Sequence, residues 1–186
     1  PADEIGAFRN KFVDENQTLL ITTSRLVAKN GIEYVIRALP NIPNAVFLII
    51  GKGELEDSLR NLARNLGVEN RVVFYGYVPQ NELQLFLKAS DIFIRPSLSE
   101  GLGNSFLEAM TARIPVIATP VGGIPDFLQD GVTGVFCEPK NPQSIVEAVD
   151  RLSDKNLSNA IVSNAFSMVK EKYDWNVIAQ EIRKVL

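Results

Sequence analysis

Short apolar runs alternate along this chain with stretches whose apolar residues recur every three or four positions. Residues 45–50, Ala-Val-Phe-Leu-Ile-Ile, are the purest run. Runs of this kind belong to strands covered on both faces, as in a parallel sheet. Further strands are predicted at 18–23, 71–75, 91–94 and 115–118, with a small last one within 131–136. Between them the spacing turns helical. Ile32, Val35, Ile36 and Leu39 share a face that stops at Pro40, and Leu55, Leu59, Leu62 and Leu66 share another with Gly67 beyond it. Leu83, Phe86 and Leu87 mark a third, and a fourth helix begins near Gly103 or Asn104. A short helix is expected over 125–129.

Asn141 reads as an N-cap with Pro142 at the first helical position, leading into Ile145, Val146, Val149 and Leu152. Leu157, Ile161, Ala165 and Met168 mark the next helix. Asp174 caps a final one carrying Trp175, Ile178, Ala179 and Ile182. Ile5, Phe8 and Phe12 suggest a short lead-in helix. Alternating strands and helices joined by right-handed crossovers predict an α/β, doubly wound, Rossmann-like parallel sheet of about six strands with helices on both faces.

In such sheets ligands bind at the carboxyl ends of the strands. The loops there carry Arg25, then Gly51-Lys52-Gly53, then Gly76-Tyr77, then residues 99–104, then Thr119 with Gly122-Gly123. Small, polar and basic residues thus gather on one edge, although glycines also occupy such turns for backbone reasons alone. Gly51-Lys52-Gly53 lacks both the spacing of a dinucleotide fingerprint and the Ser or Thr of a P-loop.

The loop 97–103 leads from a strand into a helix N-terminus, which presents unpaired N–H groups and a positive dipole end suited to a phosphate. Two acids frame it. At roughly 100° per residue, Glu108 shares a helix face with Asn104 and Thr111, while Phe106 and Met110 face the core. Glu108 then lies within reach of the loop mouth that holds Glu100. Carboxylates repel phosphate and accept from hydroxyls, so sugar and ribose hydroxyls suit them. Ordinary surface acids on an exposed helix account for the same spacing.

The 186 residues suffice for one domain with a substantial core. A hydrophobic fraction of 46% and a charged fraction of 22% are those of a soluble globular protein. The net charge of -3 argues against a nucleic-acid binder. No run approaches the roughly 18 apolar residues of a membrane span. A start at Pro1, without a leader, reads as a piece of a longer chain. The single cysteine, Cys137, has no disulfide partner here and reads as buried and inert in a reducing, cytoplasmic setting. With no histidine, chemistry falls to carboxylates, Lys, Arg and backbone dipoles, or to a partner domain.

Several segments occur in a telling order: residues 24–27 (Ser-Arg-Leu-Val), 51–55 (Gly-Lys-Gly-Glu-Leu), 73–78, 95–110, 115–118, 122–126 (Gly-Gly-Ile-Pro-Asp) and 130–134 (Asp-Gly-Val-Thr-Gly). Together, over residues 18–186, they resemble the C-terminal, donor-binding half of a family 4 (group 1) glycosyltransferase of the GT-B fold. The resemblance implies a nucleotide-sugar domain over 18–186, with 174–186 a terminal helix and 1–17 a lead-in from a missing N-terminal, acceptor-binding domain.

It implies a retaining transfer from a UDP-, GDP- or ADP-sugar to an acceptor hydroxyl, with no metal or other cofactor. The fragment alone is expected to bind nucleotide and be poorly active. The full-length protein is expected to be cytoplasmic, or peripheral at the inner membrane surface. The resemblance assigns catalytic roles to Arg25, on the donor pyrophosphate, and to Glu100, on the transferred sugar beside the reacting carbon. Glu108 would hold ribose hydroxyls. Gly101, Leu102, Gly103 and Asn104 would offer backbone N–H groups. Gly76 and Tyr77 would border the base, Thr119 and Gly122 would line the same edge, and Gly51 would join the donor-binding set. The family's Lys five positions after the arginine is Asn30 here, with Lys29 one place early, so the second phosphate contact falls to one of these two. Asp126, where the family often has Glu, reads as structural. A nucleotide-sugar epimerase on the same scaffold, and a non-catalytic nucleotide- or partner-binding module, are the rival expectations.

Overall fold

The computed structural model of the chain describes residues 2–173. Its elements run α1 (Ala2–Arg9), β1 (Thr18–Thr23), α2 (Ile32–Ala38), β2 (Ala45–Ile50), α3 (Glu56–Asn65), β3 (Val72–Gly76), α4 (Gln80–Lys88) and β4 (Ile92–Arg95). They continue through α5 (Asn104–Thr111), β5 (Val116–Ala118), β6 (Val135–Phe136), α6 (Pro142–Arg151) and α7 (Lys155–Lys172). The six strands form one parallel sheet in the order β3-β2-β1-β4-β5-β6. The expected α/β, doubly wound fold is therefore present. The predicted helix after Asp174 lies outside the described residues.

Successive strand residues face opposite sides of a sheet, so each strand feeds two cores. Leu20, Phe47, Ile49, Ile94 and Ile117 pack with α2, α3 and α6 on one face. Ile21, Leu48, Phe93 and Val116 pack with α4, α5 and part of α7 on the other. Phe106 and Met110 are buried there, as the helical wheel requires. Phe8, Phe12 and Val13 of the lead-in segment pack on this second face. The Phe8 ring sits 4.8 Å from that of Phe86, and Arg9 pairs with Asp91 at 2.8 Å.

Asn141 caps α6, accepting from the Ser144 N–H at 3.2 Å. Several boundaries shift by a residue or more from expectation, and two of these shifts have a side-chain cause. Arg71 lies in a 3-10 turn ahead of β3, its guanidinium donating to the carbonyls of Leu39, Ile42 and Ala45. The helix expected over 125–129 is a single 3-10 turn, Ile124–Asp126. There the Thr133 hydroxyl accepts from Gln129 N–H and donates to Phe127 O, satisfying groups that a longer helix would have used.

Candidate active site

The chain order reverses between β1 and β4, and ligands of doubly wound sheets bind beyond the carboxyl ends of the strands at such a point. A cavity of about 900 Å³ lies there. Arg25 and Ser24 reach it from the loop after β1, and Gly51 and Lys52 from the loop after β2. Tyr77 and Gln80 come from the β3–α4 segment. Arg95, Glu100 and Leu102 come from the end of β4 and the loop beyond, and Gly103, Asn104, Ser105 and Glu108 from α5 and its approach.

Of the residues singled out in the sequence, the fold brings Arg25, Gly51, Tyr77, Glu100, Leu102, Gly103, Asn104 and Glu108 to this one wall. It does not bring Lys29, Asn30, Gly76, Gly101 or Thr119 to it. Asn30 is buried, and its amide donates to Arg25 O at 2.7 Å, bracing the loop that carries Arg25. Lys29 is exposed, and its carbonyl accepts from Leu98 N–H at 2.6 Å. Thr119 is fully buried and donates to Ser97 O. Gly76 O accepts from Gly51 N–H at 2.7 Å, and Gly101 O accepts from Gly123 N–H at 3.2 Å.

Glu100 is held from both sides. Its Oε2 lies 2.6 Å from Arg95 Nη2, and its Oε1 accepts from Gly101 N–H at 3.1 Å. Arg95 also donates to Ser105 Oγ at 2.7 Å, and its guanidinium carbon stands 4.3 Å from the centre of the Phe106 ring. Burial pulls the Arg95 guanidinium below the ordinary arginine value, and Glu100 and Glu108 oppose that pull. Glu108 Oε1 accepts from Gln80 Nε2 at 2.7 Å. No side-chain hydrogen bond caps the start of α5 among the described residues, and Gly103, Asn104 and Ser105 bring its positive dipole end to the cavity.

Thr23, Ser24 and Arg95 stand at the cavity, but Thr23 Oγ1, Ser24 Oγ and Arg95 Nε are themselves buried and have no hydrogen-bond partner among the described residues. Three cations and two carboxylates thus line the wall, a balance that suits an anion carrying hydroxyl groups. Among the described residues, no group of three or more Cys, Asp or Glu is arranged to hold a metal ion. Cys137 is buried away from this wall, and burial raises its thiol to about 12.

Arg95 and Gln80 carry no local signal of function: one ends an apolar strand and the other starts a helix. Lys52 is visible within the glycine turn, but its place at the wall is not.

The model of the family described as "Glycosyl transferases group 1" matches residues 5–168. The chain belongs to the group 1 glycosyltransferases. An uncharacterised glycosyltransferase of Methanocaldococcus jannaschii is 40% identical over 183 residues, covering 96% of this chain and 47% of the relative. A GDP-mannose-dependent α-(1-6)-phosphatidylinositol monomannoside mannosyltransferase of Mycobacterium tuberculosis is 31% identical, over 90% of this chain and 46% of its own length. The chain thus spans about half the length of the curated relatives it matches.

Among solved structures, Anabaena HepE in complex with UDP and glucose superposes with a TM-score of 0.92 at 25% identity. That match covers 100% of this chain and 52% of HepE. The C-terminal domain of a group 1 family glycosyltransferase from Francisella tularensis superposes with a TM-score of 0.80 at 27% identity, covering 92% of both chains. No described helix of this group 1 chain is long and apolar enough to cross a membrane.

Proposed function

We propose that this chain is the nucleotide-sugar-binding half of a retaining glycosyltransferase. The reading is carried by one observation: Arg25, Glu100 and Glu108, from three different segments, line a single cavity at the reversal point of the sheet. HepE, which the chain resembles in fold, has been crystallised with UDP and with UDP-glucose. The diphosphate of the donor lies against Arg25 and the start of α5. Glu100 accepts from hydroxyls of the transferred sugar, and Glu108 from the ribose. The exposed ring of Tyr77 borders the base.

Transfer breaks the bond between the anomeric carbon and the diphosphate oxygen. The acceptor hydroxyl attacks from the same face, and its proton passes to the departing phosphate oxygen. Arg25 and the helix dipole stabilise the charge that grows on that leaving group, a stabilisation larger in the transition state than in the ground state. Arg95 and the Gly101 N–H hold the Glu100 carboxylate in place, so it needs no rearrangement to accept. The acceptor site and most acceptor contacts belong to a facing N-terminal domain.

Calorimetric titration of the chain with UDP, GDP and ADP tests this. One nucleotide is expected to bind, and Arg25→Ala and Glu108→Ala are each expected to weaken it about tenfold, as loss of one charged contact does. The nucleotide that binds names the base. Absence of binding by all three, or binding that neither substitution weakens, would contradict the donor-site reading.

A further inference from the structure

We propose that Lys52 supplies the second cation that holds the donor diphosphate, in the place where Asn30 cannot. The inference rests on the donor-binding reading above. Of the three cations at the cavity wall, Arg95 is already committed to Glu100. Arg25 and Lys52 form no ion pair among the described residues. A diphosphate carries at least two negative charges, and one arginine leaves half of that unmatched. The segment after Arg25 offers nothing more. Asn30 is neutral, buried and tied to Arg25 O, and Lys29 is not at the wall.

The backbone sets Lys52 beside Arg25. The β1–β2 ladder runs past the strand ends: Ser24 N–H donates to Ile50 O at 2.9 Å, and Leu26 N–H donates to Lys52 O at 3.1 Å. Arg25 thus sits between two residues stitched to the loop that bears Lys52. The glycines on either side of Lys52 are required by this approach. A Cβ at position 51 would fall 2.0 Å from Ser24 O, and one at 53 would fall 2.4 Å from Leu26 O. Lys52 is therefore the lone side chain of the tripeptide, and it stands at the cavity wall. Its stem runs beside Gly76, where an added Cβ would lie 3.5 Å from Lys52 Cε. Gly76, read in the sequence as a neighbour of the base, has φ +90° and lies within van der Waals reach of that stem.

Titrations of the chain with UDP, GDP and ADP, and with UDP-glucose, separate the outcomes. Lys52→Ala is expected to weaken binding about tenfold, Lys52→Arg to keep most of it, and the salt dependence of binding to flatten in Lys52→Ala. Lys52 is exposed, so the melting temperature of Lys52→Ala should match that of the parent chain. If Arg25→Ala weakens binding while Lys52→Ala leaves affinity and salt dependence untouched, Lys52 has no such role and the donor site stands. If the parent chain binds none of these nucleotides, the donor reading fails and this inference with it.

Discussion

Arg95 Nη2 lies 2.6 Å from Glu100 Oε2 at the cavity wall, with only 7% and 13% of the two side chains exposed. Two charges taken this far out of water are tolerable only as a pair, and removing one partner strands the other. Arg95→Met should therefore destabilise the chain by about 3–5 kcal/mol. The double variant Arg95→Met with Glu100→Gln should recover much of that loss, because no uncompensated charge remains. Urea denaturation of the two single variants and the double variant measures the coupling. Additive losses would show that the pair is not coupled as its geometry requires.

The loop after β5 supports the same carboxylate through its backbone. Gly122 has φ +57°, and a Cβ there would lie 1.8 Å from Glu100 O. Gly122→Ala must shift one of the two loops and also strain the backbone, together costing of order 1–3 kcal/mol. The expected outcome is a lower melting temperature together with weakened binding of the sugar nucleotide. Gly67 also has positive φ, but an added Cβ there meets no atom within 4 Å, so Gly67→Ala gives the strain without the collision. A Gly122→Ala variant no worse than Gly67→Ala in both stability and binding would remove the buttressing role.

Asp130 joins the β6 region to α6. Burial opposes its charge, but hydrogen bonds from Arg151 and from Phe136 N–H outweigh burial and hold the carboxyl below the usual aspartate value. A carboxyl lower in the folded than in the unfolded state stabilises the fold above its unfolded value and loses that contribution as the pH falls through its folded one. Both side chains are more than 40% exposed, so the contribution is at most about 1 kcal/mol. The stability gap between the parent chain and Asp130→Asn should therefore be widest near neutrality and close below pH about 4. Melting curves from pH 7 to pH 3 check this, and a gap that widens on acidification would reverse the sign.

Much of this chain was legible in order. The apolar runs and helical faces located nearly every element, because each residue's burial is set by its own position in a strand or helix. Residues 45–50 read as a strand covered on both faces, and on a helical wheel Phe106 and Met110 turn inward while Glu108 turns outward. Arg25 and Glu100 stood out because they follow strands, and Glu108 because it shares the polar face of α5 with Asn104, while their roles came from the resemblance. Pairings between distant segments were not legible. Arg95 closes an apolar strand and finds Glu100 only when the loop folds back. Gln80 meets Glu108 across 28 positions of chain. Asn30 turns into the Arg25 loop, and Lys52 turns to the cavity wall because its neighbours abut the backbone after β1. These contacts depend on strand order and on how closely loops approach, long-range outcomes of packing that no local period encodes.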